Sequence, residues 1–73
     1  MGRLAGISGV RAVAAFRRAG FEVVRQKGSH VILKHPGKPH LVISMHRSLA
    51  PFLLRSQVRR AGLTEEDFLQ LLR

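Results

Sequence analysis

The sequence predicts an α+β fold in which a three-stranded antiparallel sheet carries helices on one face. The chain has 73 residues, which suffice for two layers around a thin core. Apolar residues recur at helical spacing near both ends of the chain, and the middle alternates apolar and polar residues as strands do. The expected order is α-β-β-β-α plus a short C-terminal helix. Residues 1–73 are expected to form a single domain, with residues 1–7 as a loose arm.

The first helix is predicted to begin after Ser8. A serine hydroxyl is a favoured N-cap, and residues 9–19 then repeat apolar side chains at helical spacing. Gly20 supplies the left-handed conformation that commonly ends a helix. The apolar side of this helix, which contains Phe16, is expected to pack on the sheet.

Three strands are predicted over residues 21–26, 30–35 and 40–45. They are rich in valine and isoleucine, and the turn sequences Lys-Gly-Ser and Pro-Gly-Lys-Pro separate them. Each connection is short, so neighbouring strands are expected to pair as antiparallel hairpins.

The register of both hairpins follows from the lengths assigned to their loops. A three-residue loop at 27–29 puts Arg25 on the apolar face, opposite to the face of His30. A three-residue loop at 37–39 makes His30 and His46 cross-strand neighbours. One sheet face is therefore expected to be a core, and the other a mostly polar surface that carries both histidines.

Two helices are predicted after the sheet. Pro51 suits the first turn of the second helix, which ends at Gly62. Thr64 is a natural N-cap for a short third helix whose first turn, residues 65–67, is acidic. Both helices carry apolar residues, and the inner sheet face is the only apolar surface large enough to bury them.

The charge balance points to a polyanionic partner. Lysine and arginine number 13 against four aspartates and glutamates, which gives a formal net charge of +9. That excess favours nucleic acid, with solubility or an acidic protein partner as the alternatives. The chain has no cysteine, which excludes disulfides and thiolate chemistry. No apolar run is long enough for a signal peptide or a membrane span, so the protein is expected to be soluble and cytoplasmic.

Few classes of catalytic site remain after the acids and histidines are placed. Three of the four acids lie at 65–67, where helix capping already explains them, so a two-carboxylate mechanism is not expected. The histidines divide between the two sheet faces and a turn, which disfavours a metal site. No phosphate-binding glycine loop is present. We therefore expect neither a metal nor another cofactor.

His30 is the remaining candidate for chemistry. It follows a glycine turn and lies on the open sheet face beside basic residues. An imidazole can accept or release a proton near neutral pH, and RNA carries its own nucleophile, the 2′-hydroxyl. A single histidine with neighbouring cations is therefore enough to cleave RNA without a metal. The alternative is a structural histidine at the start of a strand, and the pattern alone leaves both open.

The stretch AGFEVVRQKGSHVILKH, with VISMH and LRSQVRRAGLTEEDFL after it, resembles the HicA (YcfA-like) family of bacterial toxin mRNA interferases. The resemblance covers residues 8–70, and its most specific part is GF-x-x-x-R-Q-K-G-S-H. It implies a fold like that of double-stranded-RNA-binding domains, metal-independent endoribonuclease activity on mRNA, and neutralisation by a HicB-like antitoxin protein. The catalytic histidine of the family corresponds to His30.

The resemblance and the charge pattern together define a predicted site. His30 is the general acid or base, and His46 is the candidate for the complementary role. The residues expected to bind RNA are the cations near His30 and the turn before it: Arg25, Lys27, Gly28, Ser29 and Lys34. No metal site is predicted.

The chain departs from the family pattern at three places. Ile-Ser-Met-His replaces the frequent Val-Pro-x-His, which keeps His46 but loses the proline. Phe52 and Leu53 stand where Gly-Thr is usual, and Gln57 stands where an aliphatic residue is usual. The apolar run 52–54 is either core or a surface for a partner or a second copy. A noncatalytic RNA-binding module, an inactive toxin homologue and a chiefly protein-binding domain remain the alternative functions.

Overall fold

Three helices and three strands follow one another in the order that the sequence predicts. A computed structural model describes residues 3–73, so Met1 and Gly2 of the expected loose arm lie outside the described residues. The elements are α1 (Gly9–Arg18), β1 (Glu22–Lys27), β2 (His30–Lys34), β3 (Leu41–Ser44), α2 (Pro51–Arg60) and α3 (Glu65–Leu71). The predicted α+β class is confirmed.

The core lies between one face of the sheet and the three helices. The strands pair antiparallel in the order β1-β2-β3. Their inner face buries four aliphatic side chains, those of Val31, Leu33, Leu41 and Ile43. In the helical layer, the rings of Phe16 on α1 and Phe68 on α3 have centroids 4.9 Å apart. Helices on one face and an open face opposite are what the alternation of apolar residues predicts.

The helix starts differ in how they are capped. The Ser8 hydroxyl accepts a hydrogen bond from the Arg11 N–H at 3.1 Å, as predicted for α1. Thr64 and Asp67 form a reciprocal capping box at α3, with distances of 3.0 and 3.1 Å. At α2 the N-cap is Ala50, which has no side-chain hydrogen bond to offer. The start of the second helix therefore has no side-chain cap, and it is favoured by Pro51, whose fixed φ suits the first turn of a helix.

Residues 3–7 pack on the rest of the chain, so the expected loose arm is wrong for them. Leu4 and Ile7 are buried, with 0% and 3% of their surfaces exposed. The Ile7 carbonyl accepts a hydrogen bond from the Leu49 N–H at 2.8 Å, and Arg3 pairs with Glu66. Burial of the two apolar side chains and the hydrogen bond to Leu49 oppose the entropy that the arm loses when it is ordered.

The first hairpin differs from prediction because its loop has two residues. Lys27 pairs with His30, and a bulge between Val23 and Arg25 absorbs the extra residue. Gly28 has a φ of 59°, which suits the first central position of a type II′ turn. The bulge moves Arg25 from the apolar face, where it was expected, to the outer face that carries His30.

The second hairpin is shifted by two residues from the predicted register. His30 pairs with Ser44 rather than with His46, and the connection spans residues 35–40. Two contacts fix this longer loop to the end of α2. The Lys38 ammonium donates to the Ala61 carbonyl at 2.9 Å, and the Arg60 guanidinium donates to the His40 carbonyl at 2.9 and 3.1 Å. His46 consequently lies beyond the end of β3.

Within residues 3–73, no helix is long and apolar enough to cross a membrane.

Candidate functional site

The outer face of the sheet is the largest surface that the helices leave open. The register assigns eight side chains to it: Glu22, Arg25, Lys27, His30, Ile32, Lys34, Val42 and Ser44. All are exposed or half-buried. This face holds most of the residues that the sequence predicted as functional, and the bulge in β1 is what brings Arg25 onto it.

His30 is at the centre of one end of this face. Its partners are Lys27 on β1 and Ser44 on β3. The Met45 N–H donates to the Ser29 carbonyl at 2.7 Å, so the next pair, His30 with Ser44, is a non-hydrogen-bonded one. Facing side chains lie closest in such pairs, with Cβ atoms about 4.5–5.5 Å apart. Lysine and serine side chains therefore flank the imidazole.

The His30 ring is exposed and has no intramolecular partner. Within residues 3–73, no side chain donates a hydrogen bond to it or accepts one from it. Both ring nitrogens are therefore free to meet a ligand. The same freedom means that no carboxylate holds the ring in one orientation.

The cations of the outer face are not tied to other groups of the fold. Five basic side chains bind carbonyls or carboxylates of the fold: Arg3, Arg18, Lys38, Arg55 and Arg60. In the described part of the chain, Arg25, Lys27 and Lys34 have no ion pair and donate no side-chain hydrogen bond. Glu22 is the cross-strand partner of Lys34 and the one acid on this face among the described residues. The three cations outnumber it, so this face attracts anions.

The turn before His30 is held by its own hydrogen bonds. Gln26 donates through its side chain to the Gly28 carbonyl at 3.2 Å, and the Ser29 carbonyl accepts from β3 as described above. Nothing lies within 4 Å of a Cβ placed on Gly28. The turn is therefore accessible to a ligand, and its positive φ, rather than lack of space, accounts for the glycine.

His46 is fixed by the start of α1. Its carbonyl accepts a hydrogen bond from the Gly9 N–H at 2.9 Å. A Cβ on Gly9 would lie 2.0 Å from the Ser44 carbonyl oxygen, so the helix touches the strand backbone at this residue. His46 itself is exposed and lies two residues beyond Ser44. The structure thus places His46 near the same end of the sheet as His30 but not opposite it.

The other two histidines lie apart from His30. The His35 ring packs on Phe21, with centroids 5.1 Å apart, and its Nδ1 lies 2.9 Å from the Pro36 carbonyl oxygen. His40 lies in the β2–β3 connection and contributes its carbonyl to Arg60. Among the described residues, no three histidines or acids are grouped closely enough to hold a metal ion.

A groove between β3 and α2 was missed by the sequence analysis. Its volume is about 360 Å³. Its walls and polar edge include Val42, Ser44, His46, Ser48, Leu53 and Gln57. The Gln57 carbonyl oxygen accepts a hydrogen bond from the Val42 N–H at 3.0 Å, which occupies a donor at the free edge of the sheet. A polar residue at position 57, where an aliphatic one is usual, was the one available signal.

A known protein family matches the part of the chain that builds these surfaces. The family model described as HicA toxin of bacterial toxin-antitoxin matches residues 10–63. The chain belongs to the HicA toxin family. The match runs from α1 to just past α2, and it contains the whole sheet and the groove. A search of curated proteins finds none that matches the chain.

The resemblance to the HicA family is therefore confirmed, and the structure locates the departures from its pattern. Phe52 and Leu53 are exposed, with 68% and 57% of their surfaces open, whereas Leu54 is buried. The apolar run is thus surface at its first two residues and core at its third. Both exposed residues lie in the first turn of α2, where Leu53 lines the groove and Phe52 does not.

Proposed function

We propose that this HicA family member is a metal-independent endoribonuclease toxin that cleaves mRNA, with His30 as general acid or base. One observation carries the proposal. An exposed imidazole without intramolecular partners stands directly opposite Lys27 on an open sheet face, and Arg25, two residues along β1, is the next side chain of that strand on the same face. A proton-transfer group next to uncompensated cations suits attack within a phosphodiester.

The reaction uses the nucleophile that RNA carries. The 2′-oxygen forms a bond to the adjacent phosphorus, and the bond from phosphorus to the 5′-oxygen of the next nucleotide breaks. One group takes the proton of the 2′-hydroxyl, and another gives a proton to the departing 5′-oxygen. The products are a 2′,3′-cyclic phosphate and a 5′-hydroxyl. Lys27 and Arg25 stabilise the negative charge that builds on the phosphorane oxygens.

His30 carries one of these proton transfers, and His46 is the candidate for the other. His46 is two residues past Ser44, the partner of His30. Two residues of extended chain span about 6.6 Å, which leaves room for a phosphate between the two imidazoles. This geometry supports a complementary acid and base on the two sides of the scissile bond.

RNA binding is assigned to the outer face. Arg25, Lys27 and Lys34 contact phosphates, and the exposed backbone of Gly28 and Ser29 lies where the chain passes His30. Three phosphate contacts by cations predict a salt dependence of single-strand binding with a logarithmic slope of about −2. A HicB-like antitoxin in the cytoplasm is the proposed protein partner, since the chain belongs to a family of toxins from toxin-antitoxin pairs.

The chemistry is tested with purified protein and a short RNA in EDTA. We expect cleavage without added metal, with cyclic phosphate and 5′-hydroxyl ends. An RNA that carries a single 2′-deoxynucleotide at the cleavage site should resist. Cleavage that needs a metal, or that ignores the 2′-deoxy substitution, contradicts the mechanism, as does equal cleavage by the His30→Ala variant.

A noncatalytic RNA-binding module is the second candidate function. It is favoured by the lack of any side chain that orients the His30 ring within residues 3–73. This function predicts salt-dependent RNA binding without cleavage, and no growth arrest when the protein is expressed. A third candidate is a chiefly protein-binding domain. Retained complex formation with an antitoxin after loss of RNA binding would favour it.

A further inference from the structure

We propose that the groove between β3 and α2 is a nucleobase pocket, and that it makes this toxin prefer guanine or uracil beside the phosphate at His30. The inference rests on the proposed function, because it takes RNA to lie on the outer face. It adds a determinant of RNA sequence preference.

The position of the groove fits a base attached to the reacting nucleotide. Ser44 lines the groove and is the cross-strand partner of His30. As a non-hydrogen-bonded pair, the two side chains are about 4.5–5.5 Å apart at Cβ. A nucleotide whose phosphate contacts His30 therefore reaches the groove with its base.

The walls of the groove combine apolar surface with a fixed hydrogen-bond donor. Val42 and Leu53 remain 47% and 57% exposed and supply flat contact area. A backbone N–H only donates, so the Gln57 amide must turn its oxygen to Val42, as the 3.0 Å contact has it. The Gln57 amino group is thereby directed away from the strand and, within residues 3–73, donates no hydrogen bond.

A fixed amino donor selects bases that present a carbonyl oxygen. Where the donor meets position 6 of a purine or position 4 of a pyrimidine, guanine O6 and uracil O4 accept from it, whereas adenine and cytosine present an amino group there. Ser44, Ser48 and His46 add polar groups at the rim.

The surroundings favour RNA over a protein side chain as the occupant. Apart from His46, none of the described residues that line the groove is acidic or basic, and the polar ones provide hydrogen-bonding groups at several points. The cations of the outer face, which lie on β1 and β2, attract a polyanion to the same side of the sheet. A purely apolar anchor of a partner would leave those polar groups without partners.

The test compares binding of the ten-nucleotide homopolymers of uridine and adenosine by the full chain with His30→Ala, so that no RNA is cleaved. We expect the uridine polymer to bind at least fivefold tighter. In the same background, Gln57→Glu keeps the oxygen that accepts from Val42 but loses the donor, so the preference should fall at least threefold. The negative charge that Gln57→Glu adds weakens binding of both polymers alike, so it cancels to first order in the ratio of the two affinities. Gln70→Glu on α3 is the matched control, which adds the same charge and should keep the preference.

Two further variants test the apolar wall of the groove separately from Gln57. Leu53→Ala retains the Gln57 contact and should reduce the preference, whereas Phe52→Ala, outside the groove lining, should keep it. Circular dichroism checks that every variant is folded. Equal affinity for the two polymers, a preference for adenosine, or a ratio that none of the groove variants changes overturns the proposal. So does a HicB-like antitoxin whose binding falls in these variants while the RNA ratio stays constant.

Cleavage separates this inference from the proposed function. If the active chain cleaves RNA through His30 but shows no base preference, the pocket is refuted and the ribonuclease stands. If it never cleaves but keeps a Gln57-dependent preference for uridine, the ribonuclease is refuted and the pocket stands.

Discussion

The contact between α1 and β3 at Gly9 gives the sharpest prediction from packing. A Cβ at this position would lie 2.0 Å from the Ser44 carbonyl oxygen, 2.7 Å from the Met45 Cα and 2.9 Å from the Ser44 carbonyl carbon. All three atoms belong to backbone, so no side-chain rotation relieves the overlap. In Gly9→Ala the helix and the strand must therefore separate.

The magnitude follows from three contributions of known size. Overpacking costs about 1–3 kcal/mol, and a separation of this extent belongs at the upper end. The Gly9 hydrogen bond to His46 adds about 1 kcal/mol if it is lost. The higher helix propensity of alanine raises the free energy of unfolding by up to about 1 kcal/mol and so offsets part of this loss. The net destabilisation is about 3 kcal/mol, which lowers the melting temperature of a domain this size by about 12–24 °C.

Thermal unfolding followed by circular dichroism measures the effect. Val10→Ala is the matched control, since Val10 is the next residue and is 63% exposed. It should change the free energy of unfolding by no more than about 0.5 kcal/mol. If Gly9→Ala leaves the melting temperature unchanged or raises it, helix propensity dominates and the close contact between α1 and β3 is wrong.

The remaining predictions concern the outer face and the start of α2. Lys27→Gln should reduce the logarithmic salt slope of single-stranded RNA binding by about 0.7, because one phosphate contact is lost; Arg73→Gln, at the far end of α3, should leave it unchanged, and equal slopes would contradict the assignment. Leu54→Ala should cost about 2–5 kcal/mol in urea unfolding, since Leu54 is 1% exposed. Phe52→Ala, two residues earlier, should cost less than about 0.5 kcal/mol. If Phe52→Ala destabilised the protein more than Leu54→Ala, α2 would face the core with a different side from the one described.

The element order and the two sheet faces follow from the sequence because they depend on local signals. The serine and threonine caps, Ser8 and Thr64, stand before apolar periods that mark their helices. Alternation of apolar residues in the strands determines which face is buried, since a shift of one residue would exchange core and surface. These signals are short in range, and the structure confirms them.

The registers of the hairpins cannot be predicted from the sequence, because the apolar pattern repeats every two residues. A shift of two in the second hairpin keeps Leu33 opposite an inward-facing aliphatic residue, Leu41 instead of Ile43, so alternation gives both registers the same score. In the first hairpin, both alignments pair Val23 with Leu33, and they differ only after the bulge. Two contacts between the longer second loop and the end of α2 hold this loop in place: Lys38 of the loop donates to Ala61, and Arg60 of the helix donates to His40 of the loop. Because the partners are 23 and 20 residues apart in the sequence, local patterns do not reveal these contacts.

The sequence predicted which residues belong to the candidate site better than it predicted how they are arranged. His30 and Lys34 lie on the expected face, whereas Arg25 reaches it only through the bulge. His46 is not opposite His30 because the second register is shifted. The groove depends on the distance between β3 and α2, which no sequence pattern encodes, although Gln57 marked its position.

The central claim is that His30 transfers a proton in RNA cleavage, and single-turnover cleavage of one RNA in EDTA tests it most directly. The variants are His30→Ala and, as matched control, His40→Ala, since His40 is exposed and contributes only its carbonyl to the fold. Loss of a general acid or base lowers the rate about 10²–10⁴-fold. We predict a loss of that size for His30→Ala and less than a twofold change for His40→Ala. Equal rates for the two variants would contradict the account.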